Sequence, residues 1–476
     1  MMAAWRNQTV LSQALRAYPW SFMGFLLLCM IVPKLYELSS FFWAGRISAD
    51  AVSIAEQQEF LAIMIEVINE AAAVGVLALV AQRAGQRDDV LGAIRAGLFV
   101  GLVGAGLLTM TLWLTPHLFI KAIGTPPSLV TATSSYLRVR AWGLPFDAAG
   151  LVLLTALKAL RRARLALVII IVGTLMNAGL DILLVSDTRF SLHLGVPGIA
   201  LTFVLTKVSV CVMAAIVCQR ILRIGIRDLA QGIGTSLPRF FSAGGWAGLD
   251  SLVRNVGYVL LLTVLNALGA QAFAGYGLAM TVIWTGLLPV LALTEGTNIL
   301  VGNLYGQRRD EEVDRTIAVS IALVLLAMAG LMLLGLFRWH SIAGFLNPHI
   351  GIVDASNQVF LSLALAYVLF AVSQILKSLF IGSGRTANLF IVSMLINGVL
   401  VIPYVVVARW RGSPPQFAEM MRLVGAALIL DFLLTSLLAW RVRRAMIRSH
   451  GSRGQNAAAF PGSASVPPLF SLPAME

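Results

Sequence analysis

The sequence predicts an all-α membrane protein with twelve transmembrane helices in two pseudo-symmetric six-helix lobes. Three observations predict this fold class: the composition, the number of apolar runs and an internal repeat. Of the 476 residues, 58% are hydrophobic and 12% are charged, and the mean hydropathy is +0.86. A soluble chain of this length needs many more charged residues on its surface, so a lipid bilayer is the predicted surrounding. The formal net charge of +13 is assigned to cytoplasmic loops and not to a surface that binds nucleic acid.

The apolar runs give the predicted spans. A spanning helix needs about 20 mostly apolar residues. Twelve runs meet this requirement, at 20–43, 56–82, 92–121, 135–158, 165–186, 195–219, 243–267, 272–302, 315–337, 355–382, 387–408 and 420–441. The first run lacks a clear cleavage site, so it is interpreted as a retained helix and not as a signal peptide.

The distribution of Lys and Arg predicts the orientation. With a cytoplasmic N-terminus, 22 of the 35 cations fall on the inner side and nine, including Arg138 and Arg140, on the outer side. Because positive residues favour the cytoplasm, both termini are predicted to lie there. The expected location is the inner membrane of a bacterium, with the chain crossing it many times as a monomer.

The second half of the chain repeats the first at a fixed offset of 221 residues. Gly75 corresponds to Gly296, the segment Gly85-Gln86-Arg87 to 306–308, and Arg164 to Arg385. An even number of helices in each half predicts parallel repeats. The predicted domains are an N-terminal lobe at 1–222, a cytoplasmic linker at 223–240, a C-terminal lobe at 241–445 and a disordered cytoplasmic tail at 446–476.

Several segments, in this order and spacing, resemble the multidrug and toxic compound extrusion (MATE) family, within the superfamily that includes oligosaccharide-lipid flippases. They include LYELSSFFWAGRISADAVSIA (35–55), GVLALVAQRAGQRDD (75–89) and TNILVGNLYGQRRDEE (297–312), and the similarity covers about residues 20–445. The resemblance implies two lobes in a V around a cavity that opens to one side at a time. It also implies antiport, in which an entering proton or sodium ion drives a small organic substrate out.

The alternatives are a flippase for a lipid-linked oligosaccharide and an exporter of anionic or zwitterionic metabolites. No nucleophile, metal or nucleotide motif is recognisable, so neither an enzyme nor a cofactor is predicted. A membrane-embedded enzyme or assembly factor would require a clustered His, Cys or Ser constellation.

The sequence departs from the family at the positions that usually couple ions to transport. The carboxylate expected in the first helix is Ser40, with Glu37 one turn earlier. Helix 7 carries Arg254 and helix 10 carries Ala371 where one branch of the family has acids. Coupling residues therefore have to be sought elsewhere in this chain.

Ionisable residues inside the spans are the candidate functional residues, because a charge at the bilayer centre costs about 2.5 to 3.5 kcal/mol. Lys34 with Glu37, and Asp250 with Arg254, are spaced to share a helical face. Each pair either lines a cavity or only neutralises itself. Glu66 and Glu70 also share a face, so one of them is expected to hold a proton or to share a nearby cation.

The remaining candidates come from helices 4, 8 and 10. Asp147 follows the helix-bending Pro145, and Glu295 follows Pro289. Lys377 has no carboxylate one turn away, so it needs a partner from another helix, a substrate anion or deprotonation. Glu37, Glu70, Asp250 and Glu295 rank first for ion coupling, whereas Asp181 is interpreted as structural. The aromatic residues predicted to line the cavity are Tyr36, Trp142, Tyr258 and Trp284.

Overall fold

The computed structural model describes residues 16, 18–48, 50–51, 54, 58–123, 125, 127–186, 188–223, 233–410 and 416–457. The regular structure in these ranges is helical. In the first half the helices are α1 (Trp20–Ile47), α2 (Gln58–Gln82), α3 (Arg87–Leu114), α4 (Pro116–Ile123), α5 (Val130–Ala141), α6 (Leu144–Ala159), α7 (Ala163–Leu184) and α8 (Gly195–Leu222).

The second half continues the same pattern. Its helices are α9 (Ile233–Phe240), α10 (Trp246–Ala267), α11 (Ala270–Gly286), α12 (Leu288–Gly306), α13 (Asp310–Leu346), α14 (Ile350–Gly382), α15 (Ala387–Ser393), α16 (Ile402–Trp410) and α17 (Phe417–Ala457). Two π-helical segments, Phe241–Gly245 and Met394–Val401, precede α10 and α16. The last helix extends past the predicted lobe boundary at 445, and the predicted tail beyond 457 lies outside the described residues.

Ten of the described helical stretches are long and apolar enough to cross a membrane, and two bent pairs bring the number to twelve. The bends lie between α5 and α6, at 41°, and between α11 and α12, at 49°. Pro145 and Pro289 stand in the first turns of α6 and α12, where a missing N–H leaves no intrahelical hydrogen bond broken. Each of the twelve predicted spans corresponds to one of these helices or pairs, so the predicted fold class is confirmed.

The chain divides into two compact units. One contains residues 25–260 and 389–398, and the other contains residues 1–24, 261–388 and 399–476. The first unit therefore includes most of α10, and the predicted lobe boundaries stay a prediction. The predicted linker is described only at Arg223 and from residue 233 onwards.

Small residues bring α10 close to α2 in the first unit. A Cβ atom added to Gly244 would lie 2.3 Å from the carbonyl oxygen of Ala71, and one added to Gly248 would lie 2.8 Å from the Ala71 Cβ. Helices that present such residues can approach closely, and van der Waals contact then holds them together without a hydrophobic driving force. This close approach sets the distance between the charged residues of α2 and those of α10.

Candidate functional site

A cluster of three carboxylates and one guanidinium lies between α2 and α10. Arg254 donates to Glu70 at 2.6 Å, to Asp250 at 2.9 Å and to Glu66 at 3.4 Å. Asn255 adds a hydrogen bond to Glu66 at 3.4 Å. The repulsion expected between Glu66 and Glu70 is thus relieved by a shared cation, which was one of the two predicted solutions. Asp250 pairs with Arg254 of the same helix, and Arg254 also bonds to the glutamates of α2. The Asp250–Arg254 pair therefore links two helices as well as neutralising its own charges.

A second polar cluster lies where α6 and α8 pack together. Lys207 of α8 forms an ion pair with Asp147 of α6 at 2.6 Å. The ammonium lies 5.4 Å from the centre of the Phe203 ring and 5.8 Å from that of Tyr36. Positive groups at these distances from ring faces gain cation–π attraction. The predicted site residues Asp147 and Tyr36 are thereby brought together by Lys207.

Arg140 belongs to the same cluster. Its guanidinium carbon lies 3.8 Å from the centre of the Phe203 ring, and its Nη1 donates to the Tyr136 hydroxyl at 3.1 Å. The sequence assigned Arg140 to the outer side of the membrane, and this stays a prediction; the structure places Arg140 in the last turn of α5, just before the bend of a pair of helices that is apolar enough to span a membrane. One phenylalanine ring therefore contacts two cations.

A buried carboxylate lies on α7. Asp181 is fully buried, and its Oδ2 accepts a hydrogen bond from Ser39 of α1 at 2.9 Å. Its Oδ1, both amide atoms of Asn177 and the hydroxyl of Thr202 make no hydrogen bond. Ser40, at the position where the family resemblance implies a carboxylate, also lies beside Asp181. Buried polar atoms without partners require an explanation, such as a bound water or ion.

A further ion pair lies between α14 and α17 in the other unit. Lys377 donates to Asp431 at 2.8 Å, and the Ser373 hydroxyl donates to the other carboxylate oxygen. The lysine also faces the Phe370 ring at 5.8 Å. Lys377 therefore finds its carboxylate on another helix, which was one of the three predicted outcomes.

The remaining predicted residues are spread over the two units. Lys34 and Glu37 form a pair at 2.6 Å on the exposed side of α1, and Glu295 is half-buried on α12. Trp284 contacts Phe370 edge-on, whereas Trp142 and Tyr258 are exposed on the first unit. The predicted residues thus form separate groups.

Sequence reasoning gave no site role to Lys207 or Arg140, and it interpreted Asp181 as structural. Asp147 and Lys207 are 60 residues apart, so no local spacing could link them. Asn177 and Asp181 are one turn apart on a helical face, and this polar pair in an apolar helix was the available signal. In the described part of the chain, no group of three or more His, Cys, Asp or Glu side chains is placed to hold a metal ion.

Comparisons with known proteins identify the fold and the family. The MatE family model matches residues 26–183 and 247–407. The MATE transporter VcmN of Vibrio cholerae superposes with a TM-score of 0.80 at 16% identity, over 93% of this chain and 99% of that protein.

Two curated relatives match over shorter stretches. The probable multidrug resistance protein NorM of Pseudomonas aeruginosa is 26% identical over 277 residues, and the match covers 56% of each chain. The multidrug export protein MepA of Staphylococcus saprophyticus is 25% identical over 317 residues, which are 65% of this chain and 67% of that protein. The chain thus spans about half to two thirds of the length of these relatives.

The predicted resemblance is therefore confirmed. With the family model matching both halves of the repeat, the chain is a member of the MatE family of multi-pass membrane proteins.

Proposed function

We propose that this protein exports small organic molecules by alternating access in exchange for protons or sodium ions. It acts as a monomer in the bacterial inner membrane, with both termini in the cytoplasm. The two multidrug exporters that resemble it support the transport of organic compounds. The buried carboxylate of Asp181 supports the ion coupling.

Asp181 has the surroundings that an exchange site requires. It is fully buried in a spanning helix, where an ionised carboxylate is costly, and Ser39 donates to its Oδ2 while Oδ1 makes no hydrogen bond. A proton on Oδ1 would remove the charge, and a sodium ion would use the oxygens of Asp181, Asn177 and Thr202 as ligands. Either ion would satisfy atoms that have no partner in the described structure.

The direction of exchange follows from competition between two states. An ion that binds Asp181 from the outside stabilises one conformation, and its release to the cytoplasm allows the other. A ligand shifts such an equilibrium only by its different affinity for the two states. Export therefore requires that the substrate bind the conformation from which the ion has been released.

The test uses everted vesicles that contain the full-length protein. A growth-protection screen in an efflux-deficient host, with cationic dyes on one plate and organic acids on the other, first selects the substrate. Substrate-dependent dissipation of a pH gradient is then recorded without sodium, and a sodium gradient is tested at equal pH. We expect one gradient to drive uptake into the vesicles. Indifference to both would exclude antiport.

The residue assignment is tested in the same vesicles. We expect Asp181→Asn to lose ion-driven uptake, because it removes the titrating oxygen while conserving size. Asp354→Asn is the control, since Asp354 is exposed and pairs with His340 on the surface. Alanine variants of Glu37, Glu70, Asp250 and Glu295 compare the carboxylates that the sequence ranks first. Ion-driven uptake by Asp181→Asn equal to wild type would refute the role of Asp181.

A further inference from the structure

We propose that Arg140, Lys207 and Phe203 form a subsite for the anionic head of a ring-bearing organic acid. The inference rests on the proposed transport function, because it names the class of substrate that the first unit binds. It is carried by the placement of two cations on one aromatic ring, of which only Lys207 is in direct contact with a carboxylate, Asp147.

Arg140 is the cation of the cluster without a carboxylate in direct contact. Asp147 pairs with Lys207 at 2.6 Å, and Asp181 lies close enough to act on the neighbouring Tyr36. Arg140 bonds to a tyrosine hydroxyl and lies over Phe203, and the described residues give its guanidinium no carboxylate within ion-pair distance. In a spanning segment a charge requires a counter-ion. An anionic ligand would supply it to Arg140.

Two neighbours hold the Arg140 guanidinium. Its carbon lies 3.8 Å from the centre of the Phe203 ring, and Nη1 donates to the Tyr136 hydroxyl. The fork of a guanidinium matches the two oxygens of a carboxylate. Because the side chain is already held by two contacts, less side-chain entropy is lost when the ligand binds.

The carboxylate of Asp147 competes with the ligand for the ammonium of Lys207. Its side chain and that of Lys207 are 22% and 28% exposed, so the pair is accessible and not sealed in the core. A ligand carboxylate that contacts Arg140 can share the ammonium of Lys207 with Asp147. Removal of the Asp147 charge should therefore strengthen the binding of an anion, an effect that damage to the fold would not produce.

One aromatic residue is placed to contact the body of the ligand. Phe203, Tyr136 and Tyr36 lie beside the cations, but Tyr136 and Phe203 are buried. Tyr36 is half-buried, and a ring of this kind packs against flat apolar groups. An anionic head on an apolar body is shared by soluble aromatic acids and by anionic lipids. These residues define the chemical class of the ligand. The experiment distinguishes a soluble acid from an anionic lipid.

The experiment measures binding to the purified full-length protein in nanodiscs of phosphatidylcholine. Equilibrium dialysis compares naphthoate with naphthylmethylammonium and naphthylmethanol, which share the ring but carry a positive or no charge. We expect naphthoate to bind best. Arg140→Gln should weaken naphthoate binding about tenfold or more, whereas Arg138→Gln, an exposed arginine on the same helix, should leave it unchanged.

Asp147→Asn should strengthen naphthoate binding about tenfold, because a like charge beside the ligand is removed. Equal binding of the ammonium compound, or equal effects of Arg140→Gln and Arg138→Gln, would overturn the proposal, as would weaker binding to Asp147→Asn. In nanodiscs that contain phosphatidylglycerol, loss of naphthoate binding assigns the subsite to a lipid head, and unchanged binding assigns it to a soluble acid. Binding without ion-driven transport would refute the proposed function and leave the subsite standing.

Discussion

Each half of the chain has a lysine–aspartate pair across its fourth and sixth spans, and the charges are exchanged between the halves. In the first half the aspartate, Asp147, is on α6 and the lysine, Lys207, is on α8. In the second half the lysine, Lys377, is on α14 and the aspartate, Asp431, is on α17. Both halves thus use an ion pair between these two helices, although the residues of the second pair do not lie at the 221-residue offset from those of the first.

The surroundings of the two pairs differ more than their distances. The N–O distances are 2.6 and 2.8 Å, but the side chains of Lys377 and Asp431 are only 17% and 11% exposed. A serine hydroxyl completes the second pair, whereas Arg140, a second cation, lies over the Phe203 ring beside the first. We interpret the second pair as a bond that holds two helices together and the first as a site that accepts a ligand.

The largest expected effect is on stability in the second half. Asp431→Asn leaves Lys377 buried without a counter-charge, and breaking a buried pair in this way costs about 3–5 kcal/mol. Asp147→Asn should cost less, because Lys207 is more exposed and keeps two aromatic faces. Thermal unfolding of the two variants in detergent measures the difference. Equal losses of stability would remove the distinction between the pairs.

An intermediate effect is expected at Gly143, in the bend between α5 and α6. A Cβ atom there would lie 2.6 Å from the Phe203 ring, so Gly143→Ala should move the ring that supports both cations. We expect a loss of about 1–3 kcal/mol in stability together with weaker naphthoate binding. Gly106→Ala in α3 is the control, because nothing lies within 4 Å of its added Cβ. A Gly143→Ala variant that binds like wild type would show that Phe203 does not position the cations.

The smallest net effect is expected from exchanging the charges. The double variant Lys377→Asp with Asp431→Lys adopts the polarity that the first half already uses, so most of the stability lost in either single variant should return. The matching exchange of Asp147 and Lys207 should also recover stability but not naphthoate binding, because the cation then leaves the Phe203 ring. Thermal unfolding and dialysis separate the two results. Recovered naphthoate binding would contradict the role of that ring.

The spans were predictable because membrane insertion depends on local hydropathy. All twelve apolar runs became helices or bent pairs, and the bend expected at Pro145 lies just before that residue, whereas the bend before Pro289 was not predicted. The partners of the charged residues were predictable only within one helix, as for Lys34 with Glu37 and Asp250 with Arg254. Contacts such as Arg254 with Glu70 depend on how closely two helices approach and how each is rotated, and small residues such as Gly248 set that approach.

Arg140 shows what counting charges leaves out. The count predicts the orientation of a whole chain, but it does not reveal that this guanidinium lies over the Phe203 ring. Asp181 was likewise visible as a charge near the end of a helix. Only the folded chain shows that Ser39 holds it while its second oxygen and the neighbouring Asn177 amide have no partner.

The sequence by itself determined that the chain is an all-helical membrane protein, where its spans lie and to which family it belongs, because each depends on the order of residues along the chain. Tertiary structure alone decided which charges meet, which cation has no carboxylate in direct contact and which buried carboxylate oxygen lacks a partner. The physical reason is that the cost of a charge in the membrane is set by the atoms within a few ångströms of it. Those atoms come from helices that are distant in the sequence.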